Sequence, residues 1–202
     1  MIAKRHLCRA LLGLVFLCWV AGCAPTHIMM DVESRAAPDF KPSADGRFSF
    51  LPPEGEKPLM EKLLPLIRGE MEKKGLVYDS ARPHILVLVK AGTRAEQRRE
   101  PIVSRPVSSL QPSREGATLE THYVIEGGGF YTVQIRWIRM DVFDASGRKP
   151  GEPGDELWHG KVESEGEKDA SVVAKCLVSG LLVDYPAGRG KSRKILKLND
   201  CR

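Results

Sequence analysis

The stretch Phe130-Tyr-Thr-Val-Gln-Ile-Arg-Trp-Ile-Arg-Met-Asp-Val-Phe143 is the longest strand pattern in the 202-residue chain. Successive strand side chains point to opposite sides, so Tyr131, Val133, Ile135 and Trp137 share one face. After Trp137 the apolar positions change phase to Ile138, Met140 and Val142, which predicts a β-bulge or burial of both faces near Trp137. Turn residues follow between Asp144 and Asp155, including Gly147, Pro150, Gly151, Pro153 and Gly154. Glu156-Leu-Trp-His-Gly-Lys-Val162 then returns as the antiparallel partner.

Working outward, Arg47-Phe-Ser-Phe-Leu51 alternates as a short strand and is stopped by Pro52-Pro53. Pro58 suits the first turn of a helix, in which Met60, Leu64, Ile67 and Met71 recur at helical spacing and Leu63 widens the stripe, with Gly75 closing it. An interior proline costs about 3 kcal/mol, so Pro65 predicts a kink or a later start. Ile85-Leu-Val-Leu-Val89 is a continuous apolar run, as in a strand covered on both faces. Strand, helix and strand in this order predict a right-handed parallel unit. Asp169 to Val183 reads as a second helix with Val173, Cys176, Leu177, Gly180 and Leu181 on one stripe, ended by Pro186. Residues 93–129 carry Pro101, Pro106, Pro112 and Gly127-Gly128-Gly129, with Leu119, Thr121, Tyr123 and Ile125 alternating as an extra strand; a connection this long is mobile or a binding loop. The expected fold class is α+β, a small mixed sheet of about four or five strands with two helices packed on one face.

Charge is unevenly placed. The formal net charge is +5, yet residues 1–22 carry +3 and residues 186–202 carry +5, which leaves a mildly acidic body of −3 between them. A basic face interleaved with aromatics, as nucleic-acid binding requires, is not legible in that body, so no nucleic-acid partner is expected.

The N-terminus has the three parts of a secretory leader. Lys4-Arg5-His6 and Arg9 precede the eleven-residue apolar run Ala10 to Val20, too short to span a membrane, and Val20-Ala21-Gly22-Cys23 follows. Small residues ahead of a cysteine closely resemble the bacterial lipobox. Cleavage is expected between Gly22 and Cys23, with diacylglycerol and further acyl chains, palmitate among them, on Cys23. One acyl chain binds membranes marginally, whereas several anchor stably at about 0.8 kcal/mol per buried methylene. Ala24 after the lipidated cysteine favours the periplasmic face of the outer membrane over the inner membrane. The expected organisation is a signal peptide (1–22), a lipidated N-terminus and flexible tether (23–46), one globular domain (47–186) and a basic C-terminal tail (187–202). Cys176 and Cys201 either pair in an oxidising compartment or remain as a buried helix thiol and a free tail thiol.

The order of these signatures resembles the envelope lipoproteins of the domain-of-unknown-function family 4136. The matching pieces are Phe48-Ser-Phe-Leu-Pro-Pro53, the helix closing at Lys74-Gly75-Leu76, Pro83-His-Ile-Leu-Val87, Met140-Asp-Val-Phe-Asp144, Leu157-Trp-His-Gly160 and Tyr185-Pro186, spanning about residues 47–186. Departures are His84 where such proteins more often show Asp, Pro65, the long 93–129 segment and the basic tail. The resemblance implies a fold and an envelope location, and no chemistry.

No spacing motif for catalysis or metal binding is present. His27, His84, His122 and His159 are scattered, no cysteine pair has zinc spacing, and there is no Gly-x-Ser-x-Gly or His-Glu-x-x-His. Ser146-Gly-Arg-Lys149 has Ser-x-x-Lys spacing but lies in a turn, where a lysine is not desolvated. Asp141, Asp144, Glu163 and Glu165 read as sheet-edge and turn acids, Trp158 beside Gly160 as core, and Trp137 as core or ligand stacker. Catalytic residues, metal ligands and cofactors are therefore expected to be none, apart from covalent lipid on Cys23. The expectation is a membrane-anchored, non-enzymatic binding or envelope-assembly module. Its partners would be the membrane and envelope proteins, or anionic headgroups met by the basic tail. The alternatives are an envelope hydrolase with a non-contiguous site around His84 or His122 and two acids, and a purely structural spacer.

Overall fold

In the computed structural model, which describes residues 27–42, 46–113, 116–145, 152–166 and 169–201 (side chains outside 110–120 and 200–201), the elements run in this order: β1 (His27–Ala36), β2 (Arg47–Phe50), α1 (Lys57–Lys73), β3 (Val77–Tyr78), β4 (Ile85–Arg99), β5 (Val103–Ser113), β6 (Gly116–Glu126), β7 (Phe130–Asp144), β8 (Glu156–Glu165), α2 (Ala174–Leu182) and β9 (Gly190–Lys197), with a closing 3-10 turn at Leu198–Cys201. Seven strands form one sheet in the order β3-β2-β4-β7-β8-β1-β9, and β5 pairs with β6 in a separate two-stranded ribbon. β2 runs parallel to β3 and β4, α1 bridging the crossover to β4; the other pairs are antiparallel.

The expected α+β fold with a small sheet is therefore corrected: with nine strands and only two short helices among the described residues, the protein is mostly β. β1 lies in the Pro- and Ala-rich stretch read as tether and β9 in the stretch read as basic tail; β6 takes up the extra strand expected around Leu119 to Ile125, and β5 joins it from the same long segment. β1 pairs with β8 and β9, strands more than a hundred residues away in the chain, so its local composition gave no sign of a partner.

One face of the sheet is dry. Met30 and Val32 of β1, Val87 and Val89 of β4, Ile138, Met140 and Val142 of β7 and Trp158 and Val162 of β8 are buried under the helices. α1 contributes Leu59, Met60, Leu63, Ile67 and Met71 and runs unbroken through Pro65. α2 is buried along almost its whole length, as a helix apolar all round must be. Gly180 lets it approach β1: a Cβ there would lie 2.1 Å from Met30 Sδ. Trp158 folds over Gly160 and meets Tyr185 edge-on at 5.1 Å between ring centroids. Cys176 is fully buried and disulfide-bonded. Cys23 and the cleavage position after Gly22 lie outside the described residues, as do Ser146 and Lys149.

Candidate binding face

Among the described residues, both helices lie on the dry face and none covers the opposite one. The strand period of two places there the residues that alternate with the core: Leu88, Lys90 and Gly92 of β4, Trp137, Arg139 and Asp141 of β7, His159, Lys161 and Glu163 of β8, and Asp31, Glu33 and Arg35 of β1. Register sets them in rows across the sheet. Lys90, Arg139, Lys161 and Glu33 form one row; Leu88, Asp141, His159 and Arg35 form the next.

At the centre of the second row Asp141 and His159 are joined by a 2.6 Å contact between Oδ1 and Nδ1. An ionised carboxylate only accepts, so His159 Nδ1–H donates, which fixes the ring and leaves Nε2 as the second nitrogen. Arg139 Nε lies 3.1 Å from Oδ1 and 2.9 Å from Oδ2 of the same carboxylate. Asp141 is 1% and His159 7% exposed. A charge buried to this degree is tolerated only when paired, and Arg139 supplies the pairing. Glu156 comes beside them: donor atoms of Asp141, Glu156 and His159 lie within 4.8 Å of one another. These are cation-binding atom types, but both Asp141 oxygens already face Arg139, so the cluster as built is an ion-pair network.

Next to it Trp137 lies half-buried over Gly92, where a Cβ would come 3.3 Å from the indole. Trp137, His159, Arg35, Lys90, Arg139 and Lys161 line a shallow cleft of about 700 Å³ in which basic side chains outnumber the acids Glu33 and Glu156. Several of these cations are held in place: Lys90 contacts Glu54, and Lys161 and Arg94 both contact Glu163, each at 2.7 Å. Partial burial alone would raise the Glu163 carboxyl, but Arg94 and Lys161 outweigh it and hold the group below its ordinary range. A flat indole in a basic rim fits an anionic ligand with a ring or apolar face to stack.

A second cleft, of about 490 Å³, gathers His84 with Asp39 and Asp144, the combination an envelope hydrolase would need. There the ring of His84 faces Arg47: Nε2 is 3.0 Å from Arg47 Nη2, and the Arg47 backbone N–H points at Nδ1 at 3.4 Å. The carboxylate beside this pair, Asp79, contacts Arg47 rather than the histidine. His122 lies on β6, far from this cleft in the topology. The basic residues of the C-terminal stretch are largely engaged within the sheet edge, Arg193 with Asp31 and Lys194 with Asp184.

His159, Asp141 and Glu156 were not legible as a group. Asp141 and His159 are 18 residues apart, a spacing that matches no ligand or catalytic motif. Only the β7–β8 register, which sets Asp141 opposite His159, brings them together. The available signal was that both sit on strands expected to pair.

No curated protein matches the chain. Solved structures that it resembles include a PDZ domain protein from Parabacteroides distasonis, at 14% identity and a TM-score of 0.48 over 84% of this chain and 38% of that one, so the chain spans well under half of that protein. Another is a PelC dodecamer from Paraburkholderia phytofirmans, at 11% identity and a TM-score of 0.43 over 76% of this chain and 94% of that one. The family described as "Domain of unknown function (DUF4136)" matches residues 32–187, and the chain belongs to that family.

Proposed function

We propose that this protein is a bacterial envelope lipoprotein, tethered by acyl chains on Cys23 to the periplasmic leaflet of the outer membrane, whose sheet face opposite α1 and α2 binds an anionic ligand without turning it over. The observation that carries the binding reading is the buried Asp141–His159 pair, joined by part-exposed Arg139, next to half-buried Trp137 in a basic rim. Burying such ions is costly and an apolar row would pack at least as well, so the array is better understood as a recognition surface than as a stability device. The tether reading rests on the leader pattern ending in Val20-Ala21-Gly22-Cys23.

Mass spectrometry of the mature N-terminus tests the anchor: diacylglycerol on Cys23 is expected, and an unmodified terminus refutes it. For the face, the mature chain beginning at Cys23, which lacks Trp19, is titrated with heparin as a polyanionic glycan while indole fluorescence is followed. Trp158 is buried, so the response reports Trp137. Saturable quenching that weakens at least tenfold in Arg139→Ala is expected; equal affinity in the variant overturns the assignment.

The hydrolase reading draws on the His84, Asp39 and Asp144 cleft. It is the weaker one because Arg47 faces both ring nitrogens and, among the described residues, no carboxylate bonds to them. It requires that peptidoglycan or glycolipid substrates be cleaved and that His84→Ala abolish the cleavage.

A further inference from the structure

β5 and β6 form an arm without a home in the protomer. They pack chiefly on each other, and residues 101–109 and 121–127 are exposed throughout. Strands of 11 residues at about 3.3 Å each carry the arm roughly 36 Å from its base. The corner is built: Gly127 has φ +92°, and a Cβ there would lie 2.1 Å from the carbonyl oxygen of Pro101. Yet the arm and its base are rich in apolar surface. Tyr123 is 72%, Ile125 71%, Phe130 68% and Ile102 59% exposed. Contiguous exposure of this kind marks an interaction surface.

The position of the arm says which surface. Asp31, Glu163, Trp137 and Gly92 lie in one row across the sheet. From that row, the start of β1 at His27 and the arm base at Arg99 and Phe130 lie in the same direction, four and seven residues along their strands. With strands about 4.8 Å apart and residues about 3.3 Å along, His27 is about 14 Å from the arm base. Cys23 is four residues before His27, a reach of up to about 14 Å. The lipid-bearing end of the chain and the arm base therefore emerge from one end of the sheet and can stand level. Arg98 and Arg99 flank the same base.

We propose that the β5–β6 arm and its base are a second contact with the bilayer to which Cys23 is tethered, with Tyr123, Ile125, Ile102 and Phe130 in the interfacial layer; this rests on the lipoprotein reading above. Tyrosine and phenylalanine beside arginine suit that layer, where an apolar body meets a polar headgroup. A two-stranded ribbon keeps two unpaired edges, which cannot enter hydrocarbon, so the arm lies in the interface and does not span. The acyl chains hold the protein to the membrane; the arm fixes which way the sheet faces.

The test uses the acylated full chain in vesicles of phosphatidylethanolamine and phosphatidylglycerol with brominated acyl chains, comparing the parent with Tyr123→Trp. The new indole is expected to lose at least half its emission, with the parent's Trp137 and Trp158 little affected. A chain that floats with the vesicles yet shows no quenching at position 123 overturns the arm contact and leaves the anchor standing. Quenching at position 123 in a chain with no lipid on Cys23 does the reverse. If Tyr123→Ser/Ile125→Ser instead dissociates an oligomer in light scattering and the Tyr123→Trp indole is unquenched, the arm docks on a second copy and the membrane contact is wrong. Both positions are exposed, so unchanged thermal melting of the variants is the folding control.

Discussion

On the helix side of the sheet Val87, Val89, Met140, Val142 and Val162 are fully buried, and one residue along the same strands Lys90, Arg139, Asp141 and Lys161 stand on the other side. The two sets share a backbone and differ by a single step of the pleat. Apolar burial on the first side is non-directional and additive, about 25 cal/mol per Å², and supplies most of the stability. The exposed ion pairs on the second side are individually worth little in water, so what they contribute is an arrangement of charge around the buried Asp141–His159 pair. Comparing the faces separates what holds the protein together from what it presents.

Substitutions on each side should separate in the same way. The largest effect is expected from Leu63→Ala, at a fully buried position under the sheet, which should lose about 3 kcal/mol in chemical denaturation. A loss under about 1 kcal/mol would mean the helix layer is not the core. Asp141→Ala comes next, at about 2 kcal/mol, because it strands His159 and Arg139 without their shared acceptor. Were it neutral, the cluster would be a surface ornament and the contrast between faces would weaken.

Acidification probes the paired carboxylates, of which Glu163 stands on the charged face. Glu163 is held below its ordinary value of 4.5, so its contribution is fully present above that pH and is lost as pH falls through the lower folded value. Melting temperature should therefore drop below about pH 4.5, and Glu163→Gln should flatten that slope while Leu63→Ala leaves it unchanged. The smallest effect belongs to Tyr185→Phe. The Tyr185 hydroxyl is buried without a hydrogen-bond partner among the described residues, and burial pushes its ionisation up, so removing it should change stability by less than about 0.5 kcal/mol or raise it slightly.

How much of this could be read in the chain varies by element. The parallel unit of β2, α1 and β4, the β7–β8 hairpin and the buried stripe of α2 follow patterns carried by adjacent residues, and they are present. The phase change at Trp137 had a different cause from a bulge. The β4–β7 register is continuous, and the shift in β7 pairing with β8 falls at Val142/Phe143. Both faces are buried near Trp137 because Ile135 and Arg136 are each 3% exposed. Arg136 reaches Ser164 and the Glu165 carbonyl from inside, its guanidinium pKa lowered by desolvation. Burial of both faces is the second of the two expected outcomes, though reached through an arginine, which is ordinarily counted as a surface residue. β9 was hidden by its Lys and Arg content, which suits an exposed sheet edge because charge discourages pairing with other chains.

The sequence by itself determined the apolar alternation of the central strands and the two helical stripes, because each depends on residues within a few positions of one another. The tertiary structure alone decided that β1 and β9 complete the sheet, that Asp141 meets His159, and that the arm stands at the end where the chain enters. Those are matters of register between distant segments, and register follows from which apolar faces can be buried together, a property no single stretch of the chain possesses.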